Sequence, residues 1–142
     1  MRRDFGADLT PYVGSLDEGL GYVPLLVGWL RRGQLFQTGS VPAGFIDRLL
    51  PFCHEAHLVG RTAGRRPCEL DRQCQLPPTH LTAEIRVIGD EDIYAAPTLI
   101  YHYVTIHNYK PPDEFIAAVL HGPPAGSPEH RALIKALNNY RS

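Results

Sequence analysis

The sequence has no long apolar run, no excess of positive charge and no stretch that reads as a known catalytic signature. Its longest apolar segment, Val23 to Leu30, is far short of the roughly 20 residues a membrane-spanning helix needs. The start, MRRDFGADLT, has two arginines with no apolar segment behind them, so it does not read as a secretory signal. Fourteen Lys and Arg stand against 15 Asp and Glu, a formal net charge of -1. That balance argues against a nucleic-acid binder, whose footprint is basic. GxSxG, P-loop, GxGxxG and HExxH patterns are all absent, so no reaction is named by a motif. The expected address is the cytoplasm. Thiols stay reduced there, so an odd count of three cysteines points to metal ligands or inert buried thiols rather than disulfides.

What the sequence does contain is the composition of one soluble globular domain over residues 1–142, with 44% hydrophobic and 20% charged residues. Thirteen glycines and 13 prolines punctuate it heavily. Residues 1–22 read as irregular, because Gly14, Gly19 and Gly21 oppose a helix. Val23–Leu30 and Leu35–Gln37, joined by Arg31-Arg32-Gly33-Gln34, read as one hairpin. Leu81–Ile88 alternates, with Leu81, Ala83, Ile85 and Val87 on one face and Thr82, Glu84 and Arg86 on the other. It reads as a second hairpin through Gly89-Asp90-Glu91-Asp92 to Ile93–Ala95.

Four helices are expected. The first runs from Ser40 to His57, the second from Pro97 to about His107, then Asp113–Leu120 and Glu129–Asn139. In the second, Leu99, Ile100, Tyr103, Val104 and His107 form the inner stripe. Strands and helices that do not alternate as βαβ units predict an α+β fold: a small antiparallel sheet of two hairpins packed with about four helices.

Residues 53–74, CHEAHLVGRTAGRRPCELDRQC, hold all three cysteines and two of the seven histidines. Cys53 and His57 are four apart, so a continuous helix puts both on one face. The polar segment 58–80 is longer than a compact domain leaves untied, and it carries Cys68 and Cys74. Cys53, His57, Cys68 and Cys74 would together form a closed Cys3His zinc site, structural rather than catalytic because no position stays open. His54 or His80 can stand in for His57. The bland alternative makes Cys53 a core thiol beside Ile46, Leu49 and Leu50, with Cys68 and Cys74 incidental. A reactive thiol is the third reading, with Cys68 favoured by Arg65, Arg66 and Arg72 nearby.

The segments GWLRRGQLFQTGSVPAGFIDRLLPFC, PCE, AEIRV and YAAPTLIYHYVTIHNYKPPDEFIAAV resemble an uncharacterised family of small bacterial proteins, frequent in actinobacteria. The resemblance covers most of residues 23–120. It implies a cysteine at a helix end followed by an HxCxxC-like knuckle, and so carries metal binding to Cys53 and Cys68. The chain departs from that pattern at Arg66, where the knuckle histidine would fall, and at Cys74, which is displaced.

Glu84 and Arg86, two apart on one strand face, read as a weak exposed ion pair or as the polar wall of a small-molecule pocket. The helical wheel puts His107 inward and His102 away from it. The Tyr/His set of YHYVTIHNY reads first as packing. Should the chain be an enzyme, Glu84, Arg86, Tyr101 and His102 are the catalytic candidates, with Glu84 and His102 as acid–base pair. The leading expectation is a zinc-stabilised binding or accessory protein with a protein or small-molecule partner. The alternative is a small metal-dependent or acid–base enzyme.

Overall fold

The β-branched run of EIRVI and the closing turn at Gly89 settle the centre of the fold. In the computed structural model, which describes residues 7–60, 68, 70, 74, 76 and 82–140, strand β2 (Glu84–Ile88) pairs antiparallel with β3 (Ile93–Pro97). Their register runs from Glu84 opposite Pro97 to Ile88 opposite Ile93, and Gly89 N–H donates to Asp92 O at 2.8 Å to close the hairpin. The third strand, β1 (Leu25–Leu26), lies on the other side of β3 and is parallel to it.

The fold is therefore α+β with a three-stranded mixed sheet, where a second antiparallel hairpin was expected. The chain after β1 does not double back on it. Thr38 instead bridges Tyr109. Four α-helices follow in order: α1 (Phe45–Leu49), α2 (Ile100–Ile106), α3 (Asp113–His121) and α4 (Pro128–Tyr140). Among the described residues, no helix is long and apolar enough to cross a membrane.

The sheet is covered on both faces. Ile85, Val87, Ala96 and Tyr94 join the main core with Phe45 and Leu49 of α1, Ile100, Tyr103 and Val104 of α2, and Phe115 and Val119 of α3. Edge-to-face contacts lock it, Phe45 on Phe115 at 6.3 Å and Tyr94 on Phe115 at 5.8 Å between centroids. On the opposite side α4 contributes Ile134 and Leu137, buried against Val59. That second layer buries Arg86, which alternation alone places on a solvated face: it is 1% exposed.

The expected helix over Ser40–His57 is broken. Only Phe45–Leu49 is α-helical, and two 3-10 turns follow, Leu50–Cys53 and Glu55–His57, with His54 extended between them (φ -67, ψ 144). Pro51 has no N–H to continue an α-helical ladder, and its ring crowds the preceding turn. At the N-terminal side, Gly44 holds a left-handed φ of 86, so Ser40–Ala43 do not enter the helix. Residues 7–22 are less irregular than the glycines suggest, because Leu16–Leu20 forms a 3-10 turn.

Candidate metal centre

The sequence YHYVTIHNY places His102 in the first turns of α2 and His107 just past its end. Residues five apart on an ideal helix point about 140° away from each other, at roughly 100° per residue. The helix is not ideal here. His107 leaves helical geometry (φ -103, ψ 9) and Asn108 turns left-handed at φ 59, a conformation asparagine tolerates. The N–H groups of His107 and Tyr109 both donate back to Tyr103 O at 3.1 Å. With the chain curled in this way, the two imidazole rings lie 5.0 Å apart between centroids.

Two thiols meet those rings. Cys74 Sγ is 2.9 Å from His102 Nε2 and 3.7 Å from His107 Nε2, and Cys68 Sγ is 3.4 Å from His107 Nε2. The four donor atoms all lie within 4.8 Å of one another. Cys68 is buried in the main core, while Cys74 packs against it with Leu70 and Leu76. In a tetrahedral zinc site, with Zn–S about 2.3 Å and Zn–N about 2.0–2.1 Å, a sulfur and a nitrogen ligand sit about 3.6 Å apart. The 3.4 and 3.7 Å separations match that edge, and the 2.9 Å one is a closer, direct thiol–imidazole contact. Two thiols and two imidazoles on one point form a Cys2His2 group that can hold a metal ion.

Of the expected quartet, the structure brings Cys68 and Cys74 together and places Cys53 and His57 elsewhere. The break at Pro51 removes the shared face that the four-residue spacing assumed. Cys53 packs against the main core, and burial pushes its thiol up to about 12, which keeps it neutral at physiological pH. His57 donates from Nδ1 to Pro51 O at 2.9 Å, and its ring lies 5.3 Å from that of His130. His54 Nδ1 accepts from Ala56 N–H at 3.1 Å. His80 and the loop arginines Arg61, Arg65, Arg66 and Arg72 lie outside the described residues.

Glu84 and Arg86 do interact, but as a buried pair and not the weak exposed one. Arg86 Nη2 contacts Asp17 Oδ1 at 2.8 Å, its Nε donates to the same carboxylate at 3.1 and 3.2 Å, and its Nη1 donates to Glu84 Oε1 at 2.9 Å. Glu84 Oε2 accepts from Tyr12 OH at 2.9 Å, and Asp17 accepts from Tyr22 OH. Asp17 is fully buried, so this is an interior ion network that pins the N-terminal segment to β2. Burial raises the Tyr22 hydroxyl's pKa, and its hydrogen bond to Asp17 raises it further. Tyr101 is half-buried against the main core, and His102 lies with Cys74.

Residues 5–120 match a family described as a domain of unknown function, DUF7919. The chain belongs to that family. All four donors of the Cys2His2 group fall inside the matched segment, whereas α4 lies beyond it. No curated protein and no solved structure matches the chain.

The pair His102 and His107 escaped the helical wheel because the wheel has no term for the helix end. The visible signal was Asn108, a residue suited to a left-handed stop, directly after a histidine five places from another.

Proposed function

We propose that this DUF7919 protein is a binding or accessory module whose segment between His57 and Thr82 is clipped to α2 by one zinc ion, held by Cys68, Cys74, His102 and His107. The observation that carries this reading is the convergence of the four donor atoms within 4.8 Å from two separate parts of the chain. Thiolates and imidazoles are the ligand set zinc takes in closed structural sites. Four protein ligands leave no position for water, so the ion acts as a clip and not as a Lewis acid. Three free cysteines suit a reducing compartment, in keeping with a cytoplasmic address.

Zinc bound to the folded chain alone stabilises it by mass action, since the dispersed ligands of the unfolded chain bind it poorly. Elemental analysis of untagged protein is expected to give one zinc per chain. Cys74→Ser and His102→Asn should lose it, while Cys53→Ser and His57→Gln should retain it. Chelator should lower the melting temperature of the wild type and leave Cys74→Ser unchanged. Metal-free wild-type protein with a chelator-insensitive melting temperature contradicts the reading. So does metal that survives in both Cys74→Ser and His102→Asn.

A further inference from the structure

The three cysteines of the chain divide into a pair and a spectator. Cys68 and Cys74 supply both sulfurs of the Cys2His2 group, so their Sγ atoms lie within 4.8 Å of each other. They also meet at one ring nitrogen, His107 Nε2, at 3.4 and 3.7 Å. Cys53 lies outside that group. It packs against the main core, where burial pushes its thiol up to about 12 and keeps it protonated. The thiolate, not the thiol, is the nucleophile towards an oxidant, so Cys53 stands apart from the chemistry open to the other two.

A disulfide sets its sulfurs about 2.05 Å apart, so Cys68 and Cys74 need to approach by less than about 3 Å to form one. Five residues of chain separate them. Their exposure differs, and this gives the two sulfurs different parts. Cys74 is half-buried and open to a small oxidant, whereas Cys68 is 4% exposed and sits behind it. Once the two sulfurs are bonded to each other, His102 and His107 are the remaining ligands of the group. A closed zinc site needs four ligands, with its thiols deprotonated and free to donate, so two imidazoles do not retain the ion.

We propose that the Cys2His2 group is a peroxide-responsive clasp: a hydroperoxide joins Cys68 and Cys74 in a disulfide, expels the zinc and frees their segment from α2. The inference rests on the zinc reading above. In the first step the Cys74 thiolate attacks one peroxide oxygen. The O–O bond breaks, leaving a sulfenic acid on Cys74 and one hydroxide (or alkoxide). The Cys68 sulfur then attacks the sulfenic sulfur; the S–S bond forms, the S–O bond breaks and a second hydroxide leaves. The two sulfurs give up two electrons and the peroxide takes both. Two protons from the medium neutralise the leaving oxygens. A dithiol reductant returns the electrons, and zinc can bind again.

The test uses the untagged full chain, its zinc content measured first by elemental analysis. Hydrogen peroxide is then added in stoichiometric amount beside a colorimetric zinc chelator, with a peroxide-free control. One zinc per chain is expected to leave with peroxide, and the control should keep its metal. Peptide mapping should find one Cys68–Cys74 disulfide, and the melting temperature should fall. Dithiothreitol with added zinc should restore it. Cys53→Ser keeps the pair and should respond as the wild type does. Zinc-loaded protein that keeps its metal under peroxide overturns the switch while the structural clip stands. Protein that never held zinc overturns both, and the first measurement tells the two failures apart. Release through a sulfinic acid, or through a bond to Cys53, also overturns the proposal.

Discussion

His130 shows how one side chain can tie two layers together while being kept neutral. It is fully buried, accepts from Gly126 N–H at Nδ1, and so carries its proton on Nε2, 3.0 Å from Arg86 O. Burial lowers its pKa to about 4, against the carbonyl hydrogen bond that favours the charged form. The unfolded chain takes up this proton near pH 6.5, the folded chain only near 4, so the contribution is intact above pH 6.5 and is lost as pH falls toward 4. The full penalty is about 3 kcal/mol, from roughly 2.5 pH units at 1.36 kcal/mol each. The unfolding free energy from urea melts should therefore fall further between pH 7 and pH 4.5 for the wild type than for His130→Gln, by about 2–3 kcal/mol. Equal slopes would show that His130 titrates normally in the folded chain. Its role was invisible in the sequence, where it is one polar residue in the first turn of a helix.

Elements were legible where local pattern and tertiary demand agreed. The β2–β3 hairpin follows from alternation and the Gly-Asp-Glu-Asp turn, and the stripes Leu99, Ile100, Tyr103 on α2 and Ile134, Leu137 on α4 are buried as their periodicity predicts. The pattern failed at boundaries. Pro51 ends a helix that the spacing of Phe45, Ile46, Leu49, Leu50 and Cys53 appeared to extend, and Asn108 ends α2 in a way that gathers two histidines. It also failed for Arg86, because alternation cannot foresee that α4 and the Leu16–Leu20 turn cover the second face of β2. Docking of that turn rests on Asp17, whose removal leaves the buried guanidinium with Glu84 as its remaining carboxylate partner among the described residues. Asp17→Ala is expected to cost about 3–5 kcal/mol in denaturant unfolding, the range for breaking one side of a buried pair. A change under about 1 kcal/mol, typical of an exposed pair, would mean that the segment is held by its apolar contacts instead.

Across the whole molecule, two distant stretches of chain are joined at one point. Cys68 and Cys74 come from a polar segment with few apolar residues to fold against, while His102 comes from the first turn of the core helix α2 and His107 from just past its end. Only half of this was legible: the thiols were evident from composition and spacing, but their partners depended on a helix end 28 or more residues away. The structure keeps Cys53 packed against the core at the end of the turn that holds Pro51, where a neutral thiol serves packing. Zinc K-edge absorption of the untagged protein reads the difference directly. We predict two sulfur neighbours at about 2.3 Å and two imidazole nitrogens at about 2.0–2.1 Å. A shell with three sulfurs, or with none, would contradict a site built from Cys68, Cys74, His102 and His107.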